Sequence, residues 1–296
     1  MENRIGLALG GGGARGSYQI GIVKAMHEIG ILKNITHVSG TSIGAINTLM
    51  VMANYGYDRM IEVWEKINNQ DIYGSGPDRL KMDKLGVFSL QEVFLKLSQE
   101  VKLSEIRESK MKGFATVAKL QKESLIDQIM LHRMKKEVFN LNDFEDPHRA
   151  VLASSSIPVI FGSTKIGENS YVDGGAVDNY PIQPLIDAGC NIIIVVPLDH
   201  LFSPKKFANE DILLVNLETH FLFKTISADI LDFNPTVVKS NALYGYKMGL
   251  AMFNKLQKLG FMDKNFNFLK PEGYRLIGFT KMEETNLKLM EDHDGS

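Results

Sequence analysis

The chain has 296 residues, 44% of them apolar, which is enough to bury a large core as one α/β domain, with or without an insertion, and excludes a disordered chain. Its 33 basic and 35 acidic residues give a formal net charge of −2, and without a long basic stripe this excludes the electrostatic footprint of a nucleic-acid binder. A single cysteine, Cys190, excludes an internal disulfide and an all-cysteine metal cluster, and points to a reducing, cytoplasmic setting.

In chain order, Met1 leads almost directly into an extended apolar segment, Ile5 to Leu9, leaving no room for a secretory signal peptide. The glycine run Gly10 to Gly13 follows, and then a helix predicted from Ser17 to Ile29, with Ile22, Val23, Met26 and Ile29 on one face. Thr36 to Ser39 is strand-like, and a second helix begins at Ser42, where Ile43, Ile46, Leu49, Met50 and Ala53 repeat the helical spacing. This βαβα opening predicts an α/β fold in which helices cover both faces of a mainly parallel sheet.

A mostly helical excursion is expected from about 55 to 141. One apolar stripe is Met60, Ile61, Val63, Trp64 and Ile67, and another is Leu90, Val93, Phe94, Leu97 and Val101. Gly74-Ser75-Gly76-Pro77 reads as a loop, and Ser89-Leu90-Gln91-Glu92 as a capping box that starts a helix at about Leu90. Gly113 to Ala118 is the most strand-like part of this region and is expected to rejoin the sheet. Asp146-Pro147 marks a helix from Pro147 to about Ser154, and Tyr171 to Gly175 a strand ending in a turn. The uninterrupted run Ile192 to Val196 predicts a central parallel strand covered on both faces. Ile212 to Leu217 predicts another strand, and Asn234-Pro235 a long helix to about Leu256. One domain spanning 1–290 is expected, with 291–296 as a frayed polar tail. The longest apolar stretch, Ile192 to Leu198, is far short of the roughly 20 residues that span a bilayer as a helix.

Two features carry chemistry. Ser42 stands within Gly40-Thr41-Ser42-Ile43-Gly44, the pattern of a nucleophile on a sharp strand-to-helix turn with small flanking residues. The glycine loop upstream aims backbone N–H groups from a helix N-terminus toward one point, where negative charge collects. Each has a plainer reading. Ser42 is also a good helix N-cap, and Asp173-Gly174-Gly175 a good Asx turn. Gly11, Gly13 and Gly16 also satisfy the dinucleotide pattern GxGxxG, yet Thr36 to Gly40 supplies no acidic residue for a ribose. A Ser-His-Asp hydrolase, a general carboxylesterase or thioesterase, would recruit His200 or His220.

Taken together, Gly11-Gly12-Gly13-Ala14-Arg15-Gly16, Gly40-Thr41-Ser42-Ile43-Gly44 and Asp173-Gly174-Gly175 resemble the patatin-like phospholipase family. Ala153-Ser154-Ser155-Ser156-Ile157-Pro158 is similar to a further block of it, so the likeness covers roughly residues 5 to 200. The departures are Gly10, where relatives often have serine, and Gly175, where many have alanine. The resemblance implies a three-layer α/β/α fold and hydrolysis of acyl esters of lipids without metal or organic cofactor. It implies Ser42 as nucleophile, Asp173 as base in place of a histidine, and Gly11, Gly12 and Gly13 as the oxyanion hole. Arg15, Gly16, Gly40, Gly44, Gly174 and Gly175 are then supporting loop residues, with Asp178 the nearest competitor for the base. A lipid substrate further implies transient contact with a membrane surface, for which amphipathic helices of the excursion are candidates.

Overall fold

In the computed structural model, which describes residues 3–66, 90–222 and 232–294, the expected opening is present: β1 (Ile5–Leu9), α1 (Ser17–Glu28), β2 (Ile35–Thr41) and α2 (Ile43–Met52). After α3 (Tyr57–Lys66), α4 (Gln91–Glu100) and α5 (Leu103–Arg107), the chain enters β3 (Lys112–Lys119), as the strand-like run from Gly113 predicts. Short α6 (Leu125–Ile129) and the antiparallel strand β4 (Lys135–Asn140) follow, so the helical part of the expected excursion ends mainly at Arg107. The Gly74–Pro77 loop, Ile67 and the Ser89 cap lie outside the described residues.

Next come α7 (Pro147–Ser154), β5 (Thr164–Ile166), β6 (Asn169–Asp173), α8 (Gln183–Asp187), β7 (Ile192–Val196) and β8 (Leu213–Asn216). The last elements are α9 (Pro235–Lys258), β9 (Arg275–Ile277) and α10 (Lys281–Asp294). Two caps expected from the sequence form as side-chain bonds. Asp146 accepts from the Arg149 N–H, and Asn234 from the Thr236 N–H, each ahead of a proline in the first turn. The helical backbone of α10 runs past Glu291 to Asp294.

The sheet order is β5-β6-β3-β2-β1-β7-β8-β9, with β4 also on β3. Pairs from β3 through β2, β1, β7 and β8 to β9 are parallel, whereas β3–β4, β3–β6 and β5–β6 are antiparallel. Side-chain alternation divides the core. Ile5, Leu7 and Leu9 of β1 and Ile192, Ile194 and Val196 of β7 face the large cluster under α1, α2 and α9. Ala8, Ile193 and Val195 face a smaller cluster with Ile182 and Leu185, from α8 and the residue before it, and Phe202, from the loop after β7. The two covering layers are therefore unequal, and the run from Ile192 to Val196 is apolar throughout because both of its faces are buried.

On the thick side α9, at 24 residues, crosses α1 so closely that backbones touch. A methyl group at Gly21 would overlap the Ala242 carbonyl, and one at Gly245 would overlap that of Tyr18. The prediction is that Gly21→Ala, though it favours helix, destabilises the protein by about 3 kcal/mol, seen as a Tm drop of roughly 6–10 °C. An unchanged Tm would mean that the two helices are free to separate.

Candidate active site

Along β3, Thr116 pairs with Thr41 at the end of β2, and the next residue, Val117, pairs with Asp173 at the end of β6. Because β4 occupies the other edge of β3 over the same residues, β2 and β6 share one edge. They run in opposite directions along it and end against each other. Ser42, the residue after β2, is thereby brought to Asp173, which lies 131 positions away in sequence, and its Oγ donates to Asp173 Oδ2 at 2.6 Å.

Ser42 has φ 55° and ψ −127°, a left-handed conformation that a residue with a side chain adopts only when its surroundings impose it. The surroundings are visible. Its N–H donates to Ser154 Oγ at 2.9 Å, and the same hydroxyl donates to the Thr116 carbonyl at 2.6 Å, tying the turn to β3. Gly44 packs against the Leu9 carbonyl so tightly that a methyl group there would overlap it, and Gly40 stands likewise against Gly44. The flanking glycines thus let the turn fold onto β1. Their room serves backbone against backbone. The N-cap reading fails on the same geometry, because the Ser42 side chain makes no cap bond to α2.

The Asx-turn reading of Asp173 is correct but incomplete. Oδ1 accepts from the Gly175 N–H at 2.7 Å, which fixes the carboxylate plane and leaves Oδ2 for Ser42. Asp173 is 6% exposed, and its backbone N–H is bonded to Ser156. Burial lifts its pKa from 3.8 to about 6, against the opposing hydrogen bonds from Ser42 and Gly175. The competitor Asp178 is turned away, to Lys136 at 3.0 Å. His200 faces Glu218 at 3.4 Å and packs against His220 with the two rings tilted by 41°. Among the described residues no histidine bonds to Ser42 or Asp173.

The glycine loop closes the other side. Gly13, with φ 58°, opens one turn of 3₁₀ helix to Gly16 that leads into α1. Among the described residues the Gly12 and Gly13 N–H groups have no protein acceptor. Gly11 differs from expectation: its N–H turns to Asn179, reaching Oδ1 at 3.2 Å and the carbonyl at 3.4 Å. Arg15 is buried and donates to the Leu198 carbonyl at 3.3 Å, so it is a loop brace rather than a solvated helix start. The carbonyls of the loop are held from within the core. Gln19 Nε2 donates to Gly10 O at 2.8 Å, and Asn47 Nδ2 donates to Gly16 O at 3.0 Å and to Gln19 Oε1 at 2.8 Å. Trp64 Nε1 completes the set by donating to Asn47 Oδ1 at 3.0 Å.

Ser42, Asp173 and the glycine loop line one cavity of about 340 Å³, whose wall also includes Leu131, Ile157, Pro158, Ala176, Asn179 and Asp199. Sequence reasoning missed Asn179, six residues beyond the aspartate, which also donates to Asp199 at 2.8 Å. It also missed the bridging role of Ser154. The second lay inside the serine-rich block, but nothing local to either residue reveals its partner. Among the described residues no group of three His, Cys, Asp or Glu side chains converges as a metal site.

An α/β sheet with a serine on a strained strand-to-helix turn, beside a buried carboxylate and a glycine loop, is the setting in which the comparisons fall. The family described as patatin-like phospholipase matches residues 7–186, and the chain belongs to that family. It is 28% identical to "Probable lipid hydrolase 463L" of Invertebrate iridescent virus 6 over 281 residues, 88% of this chain and 89% of that one. It is 29% identical to "Lysophospholipase NTE1" of Kluyveromyces lactis over 199 residues, 65% of this chain but 12% of the fungal protein. Among solved structures, VipD from Legionella pneumophila aligns over 99% of this chain and 75% of its own, with TM-score 0.48 and 14% identity.

The raised pKa of Asp173 has a stability consequence of definite sign. The folded protein holds this proton up to about pH 6 while the unfolded chain releases it near 3.8, so the group's penalty on folding grows between those values and is complete above them. A difference of that size corresponds to about 3 kcal/mol. Asp173→Asn is therefore expected to stabilise the protein by up to about 3 kcal/mol at pH 7.5 and to have little effect at pH 4, as read by urea unfolding. Equal effects at both pH values would contradict the assignment.

Proposed function

We propose that the protein hydrolyses acyl esters of lipids through Ser42 and Asp173. The 2.6 Å hydrogen bond between them, beside a cavity that Ser42 and Asp173 line together with Gly12 and Gly13, carries this reading. Ser42 Oγ attacks the ester carbonyl carbon as its proton passes to Asp173 Oδ2. The carbonyl oxygen takes up the displaced electron pair and is received by the Gly12 and Gly13 N–H donors, with Gly11 and Arg15 shaping the loop. Loss of one such donor typically lowers turnover about 10²- to 10³-fold.

As the tetrahedral species collapses, the bond to the leaving alcohol breaks and that oxygen takes the proton from Asp173. Water then attacks the acyl-serine and delivers a proton to Asp173, which returns it to Ser42 as the fatty acid leaves. A carboxylate is a weak partner for an alcohol. Burial that brings its pKa to about 6 moves it toward a useful base, and the N–H donors lower the energy of the charge it helps create. Apolar wall residues such as Leu131, Ile157 and Pro158 suit an acyl chain, and the names of the viral and fungal relatives point to a lipid or lysophospholipid ester.

Ser42→Ala is expected to leave a folded protein without esterase turnover and without labelling by a fluorophosphonate probe. With the native chain, kcat/KM should rise with pH through a single limb near pH 6 and stay level above it, since Asp173 accepts the proton only when ionised. Retained turnover in Ser42→Ala would refute the assignment, and loss of turnover in a folded His200→Ala or His220→Ala variant would favour a triad instead.

A further inference from the structure

The segment that carries Leu131 to the cavity wall is inside out. In α6 and the turn after it, Asp127 and Gln128 are buried at 4% and 1% exposure, while Ile126, Ile129 and Leu131 are exposed at 60%, 65% and 56%. The inward polar groups hold the segment in that attitude. Asp127 accepts from Ser124 at 2.7 Å and pairs with Arg133 at 3.3 Å, clasping both ends of the turn. Gln128 Oε1 accepts from the Val159 N–H at 3.0 Å, which joins the segment to the loop bearing Ile157 and Pro158. A short helix that merely faced water would be stable with the opposite pattern.

The outward apolar groups continue along the cavity mouth. Val159, with φ 66°, is exposed beside α6. Leu201, at 83% exposure, borders an adjoining cavity that shares Gly175, Ala176, Asn179 and Asp199 with the one holding Ser42. The charge around this rim is also distinctive. In a chain of net −2, residues 119–137 contain five lysines and arginines against three acids; Lys119, Arg133 and Lys136 pair with Glu137, Asp127 and Asp178, whereas Lys122 and Lys135 are exposed. Lys206 stands beside Leu201 in the adjoining cavity.

Apolar side chains directed into solvent, set among cations and continuous with a cavity suited to lipid, fit one surface: the interface of an anionic bilayer. We propose that Ile126, Ile129, Val159 and Leu201 insert into an anionic lipid surface, seating the cavity mouth on the bilayer so that an acyl ester passes from membrane to Ser42 without crossing water. This rests on the lipid-ester reading above. It assigns the docking face, its orientation and its charge preference. No described helix is long and apolar enough to cross a membrane.

Ile126 and Ile129 do not line the cavity, so the double variant Ile126→Asp/Ile129→Asp separates docking from chemistry. Flotation is measured on the Ser42→Ala background, which removes any dependence on catalysis. The vesicles are phosphatidylcholine alone or phosphatidylcholine with phosphatidylserine. Binding is expected to the mixed vesicles, to weaken with salt, and to fall roughly tenfold or more in the double variant. In the active chain the same variant is expected to lose vesicle hydrolysis to a similar extent while hydrolysing soluble p-nitrophenyl butyrate within about twofold of the native rate. Leu201→Asp should weaken flotation in the same direction without touching α6. Failure of the native chain to float, undiminished flotation of the double variant, or a concentration-dependent dimer that the double variant abolishes would overturn the proposal. Absence of butyrate hydrolysis by the native chain would instead refute the esterase reading and leave the flotation result to stand alone.

Discussion

The register of β3 is the constraint on which the rest depends. One edge of this strand serves two others that arrive from opposite directions, β2 ending at Thr116 and β6 at Val117. This pairing brings Ser42 to Asp173. A one-residue slip of β6 would turn the aspartate to the opposite face of the sheet, so the pairing of Val117 with Asp173 fixes side-chain direction as well as distance. Ser154 reinforces the junction by bonding at once to Thr116 and to the Ser42 N–H, so helix, strand and turn meet at one hydroxyl.

The site is held by a core that tolerates its unfavourable features. Ser42 adopts a left-handed backbone, and Asp173 is a buried carboxylate with no cationic partner among its bonds. Each such feature costs on the order of 1–3 kcal/mol. Both sit where the surroundings leave no relaxed alternative: the turn is pressed against the end of β1, and the carboxylate is fixed by the Gly175 N–H. The glycine loop is braced in the same manner, by Gln19 from α1, Asn47 from α2 and Trp64 from α3. A glycine loop has no side chains of its own to hold its shape. Buried side chains that grip its carbonyls give it that shape before any ligand arrives.

Features set by local pattern were legible in the sequence. The strand-helix alternation through Met52, the serine turn, the caps at Asp146 and Asn234, and the doubly covered β7 all follow from spacing and turn chemistry; Asp173 by itself reads as an Asx turn, and only the family resemblance singles it out as a base. Features set by long-range pairing were not. Gly113 to Ala118 reads as a strand, but its role as the junction depends on what pairs with each of its edges. β4, with Lys135 and Lys136 exposed and the rest half-buried, lacks the apolar alternation that announces a strand. Asn179 and the Gly11 N–H were missed as a pair because their meeting spans 168 positions. The inverted face of α6 could be seen only once burial was known, since five residues are too few for a periodicity to declare its inward side.

The strand origin of Asp173 bears on why no histidine is needed in the proposed chemistry. In a triad the acid orients an imidazole on a mobile loop, and the imidazole reaches the serine. Here the carboxylate is delivered at the end of a sheet-paired strand, and its second oxygen is oriented by Gly175, so the orienting function falls to a backbone N–H. A methyl group at Gly174 would overlap the Thr116 carbonyl, which shows how closely the turn after Asp173 is pressed onto β3. With Ser42 Oγ bonded directly to Asp173 Oδ2 at 2.6 Å, no ring stands between them. The same tight junction that raises the aspartate's proton affinity by excluding water also puts it within direct reach of the alcohol, and proximity and basicity arise from one packing arrangement.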